Sequence, residues 1–206
     1  MAELTPQFVE GMFYAVCQKQ ATNTDIASIL ACAKSAKDVL HILRKSPKAQ
    51  VFLNQFHGLS LNWLDHLYCI GERPSHFQAS LLANTGINRF VDLTEIEQDY
   101  FKMLPDNVSY CKATIANDRR NGPDVIEAAA KAVLEPLGRN ERVYMHCMSG
   151  ISRSIIIASI VMAVRTKSGY LEAMKFVKTR RPIAQPQMDL LALQDAECVI
   201  RRLGLA

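Results

Sequence analysis

At 206 residues, 49% hydrophobic and 21% charged, the chain can bury one α/β-sized core with an appendage, which excludes extensive disorder and two large domains. The net charge of +4 is modest, and basic residues cluster only near Arg119 and Arg120, at 178–181 and at Arg201 and Arg202, so no nucleic-acid partner is expected. Six cysteines at 17, 32, 69, 111, 147 and 198, with no CxxC pair, indicate neither a zinc site nor a disulfide framework, and point to a reducing, cytoplasmic setting.

Residues 1–57 lack strand-like alternation, and Ile26, Ile29, Leu30, Ala33, Val39, Leu40 and Leu43 recur at helical spacing. This predicts an all-helical N-terminal extension of two or three helices, with starts near Thr22 to Thr24 and at Pro47. Its apolar stripes need a surface, supplied either by the rest of the chain or by a protein partner. Residues 1–10 lack a basic segment followed by an apolar run, and the longest apolar stretch, 155–164, is too short for a bilayer, so neither a secretion signal nor membrane insertion is expected.

Residues 58–206 read as one α/β domain. Apolar runs at 67–70, 89–93 and 108–115 predict strands, and 75–85 predicts a helix ended by Gly86 in a left-handed turn. A helix over 124–137 closed by Gly138, a strand at Val143-Tyr144-Met145 and a very apolar helix over 154–164 follow.

Between that last strand and helix stands His146-Cys147-Met148-Ser149-Gly150-Ile151-Ser152-Arg153-Ser154. A strand end fixes Cys147, a loop of Met148, Ser149, Gly150, Ile151 and Ser152 can curl its N–H groups inward, and the helix N-terminus adds partial positive charge, a concavity suited to a phosphoryl group. That field favours thiolate over thiol, which makes Cys147 a nucleophile. Arg153, six residues on, can return its planar fork to the anion; Gly150 permits left-handed angles; Ser154 can donate to the sulfur; and His146 can orient the loop. A bare Cys-x5-Arg pair arises readily by chance, whereas the full string is specific.

Attack on a phosphomonoester also needs an acid to protonate the departing oxygen. Asp118, in the turn-rich segment 115–123 after the third strand-like run, is the candidate.

These two segments resemble the dual-specificity protein phosphatases, which carry a His-Cys-x5-Arg-Ser/Thr loop with an aspartate roughly thirty residues upstream; here Asp118 precedes Cys147 by 29. The resemblance extends over about 61–203, through Leu67-Tyr68-Cys69-Ile70-Gly71 and Val91-Asp92-Leu93-Thr94. It implies a central mixed, mostly parallel sheet flanked by helices. It also implies a phosphocysteine on Cys147, phosphate held by Arg153, proton transfer by Asp118, a phosphoprotein substrate, and neither metal nor other cofactor. Arg180-Arg181-Pro182 and Pro186-Gln187 resemble the segment that borders the site in this superfamily, where Gln187 could place the hydrolytic water.

The chain lacks the Trp-Pro-Asp acid motif of tyrosine-only phosphatases, which favours a pocket open to phosphoserine and phosphothreonine as well as phosphotyrosine. Three rivals stand beside this reading: a phosphoinositide phosphatase, for which the uncharged loop residues are unfavourable; a rhodanese or arsenate-reductase type of cysteine chemistry; and a module that binds a phosphorylated partner without hydrolysis. Cys69 or Cys111 could protect Cys147 as a reversible disulfide, or simply pack on strands.

Overall fold

Short β-rich runs separated by helical stretches build a five-stranded sheet in the computed structural model, which describes residues 60–84, 86–187 and 193–204. The helical extension expected over 1–57 lies outside the described residues. The strands are β1 (Leu61–Trp63), β2 (Tyr68–Gly71), β3 (Arg89–Asp92), β4 (Ser109–Lys112) and β5 (Val143–His146). The helices are α1 (His76–Asn84), α2 (Pro123–Gly138), α3 (Arg153–Thr166), α4 (Tyr170–Arg180) and α5 (Leu193–Gly204), with a 3-10 turn at Tyr100–Met103.

The sheet runs β1-β2-β5-β3-β4, parallel except for β1 against β2, which matches the mixed, mostly parallel sheet expected. Its register aligns Gly71, His146, Asp92 and Lys112 in one row at the carboxyl ends of the parallel strands. Cys147 is the next residue after the central strand, so it sits just outside the sheet's carboxyl edge, the usual place for a ligand site in an open α/β sheet.

β5 is buried throughout, and its alternation divides two different faces. Val143 and Met145 join an aliphatic core with Ile126, Ala130 and Val133 of α2 and Ile155 to Ala158 of α3. Tyr144 and His146 face the other way, where Phe90, Tyr100 and Tyr110 complete a chain of ring contacts 5.6–5.9 Å apart. α1 packs on the 3-10 turn that supplies Tyr100.

α3 is buried from Arg153 to Ala163 and contacts α2, α4, α5 and β2, which explains why its sequence is apolar on all sides. No single described helix is long and apolar enough to cross a membrane.

Gly86 ends the first helix with φ +92°, as its position predicts. Gly138 does not play that part for α2. It remains helical, and Asn140 takes the left-handed angle (φ 62°), with Asn140 N–H donating to Leu137 O and Glu141 N–H to Pro136 O, each at 3.0 Å. This is the paired bonding of a Schellman stop, with asparagine standing where glycine is commoner.

Candidate active site

The loop after β5 is held by its carbonyls. Arg73 N–H donates to Met148 O (3.0 Å), Arg181 Nε to Gly150 O (2.5 Å) and Gln185 N–H to Ile151 O (2.9 Å). In a planar trans peptide the next N–H points opposite the carbonyl, so these outward bonds turn the N–H groups of Ser149, Ile151 and Ser152 inward. These residues are therefore fastened from outside at three carbonyls, by Arg73 and by two residues of the stretch after α4.

Cys147 is 3% exposed, with its Sγ 3.5 Å from Ser154 Oγ. Burial pushes its pKa up, but the Ser154 hydroxyl, the Ser154 N–H, the Arg153 charge and the Gly150 N–H outweigh it and hold the thiol below its ordinary value. Ser154 thus occupies the sulfur-facing position expected of it.

Arg153 opens α3 and is 6% exposed. Its Nη1 donates to Ile115 O at 3.2 Å, while its Nε is buried without a protein acceptor beside the cleft. A buried guanidinium N–H at a cradle of inward amides is matched by an anion's oxygens.

The cleft measures about 730 Å³, and its lining includes Cys147, Ser149, Ile151, Ser152, Arg153 and Gln187. Of the other expected site residues, Met148 is half-buried, Gly150 is buried at the back of the loop, and His146 lies beneath it. Gln187 contributes its backbone to the architecture, donating N–H to Ser152 Oγ at 2.9 Å. Asp118 is exposed, one residue beyond the cleft-lining Asn117, on a bend between β4 and α2. That bend is tied by Asn121, whose Oδ1 accepts from Ala116 N–H (2.8 Å) and whose Nδ2 donates to Ala116 O (3.1 Å) and Arg119 O (3.3 Å). Arg120 adds an exposed ion pair to Asp195 of α5 at 2.5 Å.

Behind the loop, His146 receives the Tyr100 hydroxyl on Nε2 (2.5 Å) and donates from Nδ1 to Cys147 O (3.1 Å), the bonding of a neutral ring. Burial, against the pull of Asp92, drives its pKa down to about 4. Burial raises Asp92 in turn, but the His146 ring, the Thr94 N–H and hydroxyl, and Lys112 leave it below its usual value. At neutral pH the Lys112 ammonium, 2.9 Å from Asp92 Oδ2, is the charge that balances it. His146, expected to orient the loop, lies beneath it and bonds to the Cys147 carbonyl on one side and the Tyr100 hydroxyl on the other.

The sequence reading missed Arg181, Asn121, Asn117, Met174, Lys178 and the Asp92–Lys112 pair. Only Arg181 carried a signal, in the bordering Arg180-Arg181-Pro182 string, but two adjacent arginines do not declare which turns inward. Here Arg181 is wholly buried and also donates to Asn62 Oδ1 (2.8 Å) and Ser60 Oγ (3.2 Å).

Neither neighbouring cysteine can pair with Cys147 without backbone movement. Cys69 faces Tyr144 across β2 and β5, three residues from Cys147, and Cys111 lies on β4, two strands from β5. Strand geometry makes each separation about 10 Å, beyond the roughly 7 Å a disulfide spans between Cα atoms. Burial also pushes the Cys69 thiol up, away from reactivity. Among the described residues no group of three or more His, Cys, Asp or Glu is placed to hold a metal ion.

The model of the dual specificity phosphatase catalytic domain matches residues 68–193, well over half of the chain. The chain belongs to the dual-specificity phosphatase family. It is 32% identical over 96 residues to Dual specificity protein phosphatase 16 of Homo sapiens, covering 47% of this chain and 13% of that one. It is 28% identical over 135 residues to Dual specificity protein phosphatase 8 of Mus musculus, covering 62% and 19%. The dual-specificity phosphatase region therefore spans less than a fifth of these curated relatives.

Among solved structures, a mouse putative dual specificity phosphatase complexed with zinc tungstate superposes with TM-score 0.57 at 19% identity, covering 69% of this chain and 89% of its own. Tk-PTP in its active form gives TM-score 0.55 at 18%, covering 71% and 97%. PTPMT1 in complex with PI(5)P gives TM-score 0.58 at 13%, covering 70% and 97%. At these identities the likeness is one of fold.

Proposed function

We propose that the chain hydrolyses phosphomonoesters of phosphoproteins, on phosphotyrosine and on phosphoserine or phosphothreonine, through a phosphocysteine on Cys147. The observation that carries this reading is the buried Cys147 thiol beside a loop of inward-turned amides, with the Arg153 Nε buried nearby without a protein acceptor. In the first step the Cys147 thiolate attacks phosphorus, the P–O ester bond breaks, and Asp118 delivers its proton to the leaving oxygen. Arg153 and the loop N–H groups hold the three equatorial oxygens as charge spreads over them. In the second step water attacks phosphorus, the S–P bond breaks, and the Asp118 carboxylate takes the water's proton. The Ser154 hydroxyl supports the departing thiolate. The open position of Asp118 fits a segment that approaches the leaving group once substrate is seated.

A phosphoinositide substrate is the second reading, suggested by the PI(5)P complex of the PTPMT1 neighbour. The loop residues 148–152, which carry no cation, support the phosphoprotein instead. The free thiols of Cys69, Cys111, Cys147 and Cys198 fit a reducing, cytoplasmic setting.

Aryl phosphate hydrolysis tests the mechanism. Cys147→Ser is expected to be inactive, and Asp118→Ala to lose about 10²–10⁴-fold, most with poor leaving groups. A fully active Cys147→Ser protein sinks the phosphocysteine, and equal losses on good and poor leaving groups remove Asp118 as the acid.

A further inference from the structure

The wall of the cleft opposite the Asn117 segment comes from α4, where Met174 and Lys178 stand one helical turn apart and both line the space in front of Cys147. The lining contains two cations, Arg153 and Lys178, and no carboxylate. Arg153 is buried and committed to the floor, whereas Lys178 is exposed and takes part in none of the ion pairs among the described residues.

A cation in the last turn of a helix also has a plain structural use, easing the helix dipole. Arg180 stands in the same turn and lies over the Phe176 ring at 5.4 Å, outside the cleft lining. A dipole role alone does not require a second cation on the cleft side. Met174, Ile151, Ala184 and Pro186 give the same cleft apolar surface, a mixture suited to a peptide lying across the mouth with its phosphate on the floor.

We propose that Lys178 is a specificity residue, which selects phosphoproteins bearing an acidic side chain next to the phosphorylated residue. This deepens the phosphoprotein reading and rests on it. An exposed lysine–carboxylate contact supports a preference of about twofold to fivefold in kcat/KM, fading with added salt.

The test uses the full chain and two phosphotyrosine peptides that differ only in glutamate or glutamine flanking the phosphotyrosine. The wild type is expected to prefer the glutamate peptide, Lys178→Arg to keep the preference, Lys178→Gln to bring the ratio to about one, and Lys178→Glu to invert it. A wild-type ratio of one, or an unchanged ratio in Lys178→Gln, overturns the proposal. So does a Lys178→Gln loss confined to phosphoinositide vesicles, which assigns the lysine to a lipid headgroup. Hydrolysis of neither peptide nor aryl phosphate by the wild type has a different meaning, since it overturns the phosphatase reading and this inference with it.

Discussion

Cys147, the proposed nucleophile, and Asp118, the proposed acid, are supported in opposite ways. The Cys147 loop is fastened at three carbonyls, by Arg73 just after β2 and by Arg181 and Gln185 of the 181–187 stretch, with a wholly buried guanidinium among the fasteners. The Asp118 bend is exposed and held by the Asn121 side chain, by the Asn117 N–H donating to Glu95 Oε2 at 3.2 Å, and by one solvent-facing ion pair. A thiolate stabilised by several dipoles needs every one of them fixed, whereas a proton donor must come and go around a substrate. In the proposed mechanism the fastened side holds charge and the exposed side transfers a proton.

The strongest way to break this contrast is to disturb the fastened side. A methyl at position 150 would lie 2.5 Å from the Gly71 carbonyl carbon and oxygen and 2.6 Å from Arg181 Nη2, at a φ of +65° that disfavours side chains. Gly150→Ala is expected to lower kcat/KM for an aryl phosphate by about 10²-fold or more, with a stability loss of about 1–3 kcal/mol in urea. Near-wild-type kinetics would show that the loop does not need its backing.

The neutral His146 beneath the loop gives a pH signature. Its folded pKa of about 4 lies below the unfolded 6.5, so the unfolded chain binds the proton first. Its contribution, about 3 kcal/mol, is complete above pH 6.5 and is lost as pH falls toward 4. Urea unfolding between pH 7 and 4 should show this slope in the wild type and a flatter one in His146→Gln; parallel curves would mean that the ring is not held neutral.

The smallest effect belongs to the loose side. Asn121→Ala strips three hydrogen bonds from the Asp118 bend and leaves the Ala116 N–H and O unpaired. It is expected to cost about 1–3 kcal/mol of stability and to slow poor leaving groups more than good ones. A uniform loss across leaving groups would place Asn121 with the fold and not with the acid.

The periodic helix α2, the continuously apolar helix α3 and the buried strands β2, β3 and β5 were legible because each carries its own pattern. β1, three residues long, has none, and it forms because Leu61 to Trp63 find Gly71 to Cys69 as partners. The loop string pointed to Cys147, Arg153 and Ser154, which the structure brings together, because their short spacing along the chain fixes their proximity. Arg181 and Asn62 were not legible, since their contact joins residues 119 positions apart and depends on which arginine turns inward. Asn140 defeated the expectation for Gly138 because the Schellman bonds, and not residue preference alone, decide where the reversal falls.

Gly71 and Gly150 are each hemmed in where the loop meets the second strand. A side chain at 150 meets the backbone of 71, and one at 71 meets Ser60 O at 2.8 Å and the Tyr144 hydroxyl at 2.5 Å. Part of each obstacle is backbone, which a change of side chain does not remove, so neither position, 79 residues apart, has room for a Cβ in this packing. A chain that keeps His-Cys-x5-Arg-Ser but carries a larger residue at the equivalent of 71 has to shift the start of the first strand and the Tyr144 hydroxyl to house it, next to the strand that leads into the cysteine.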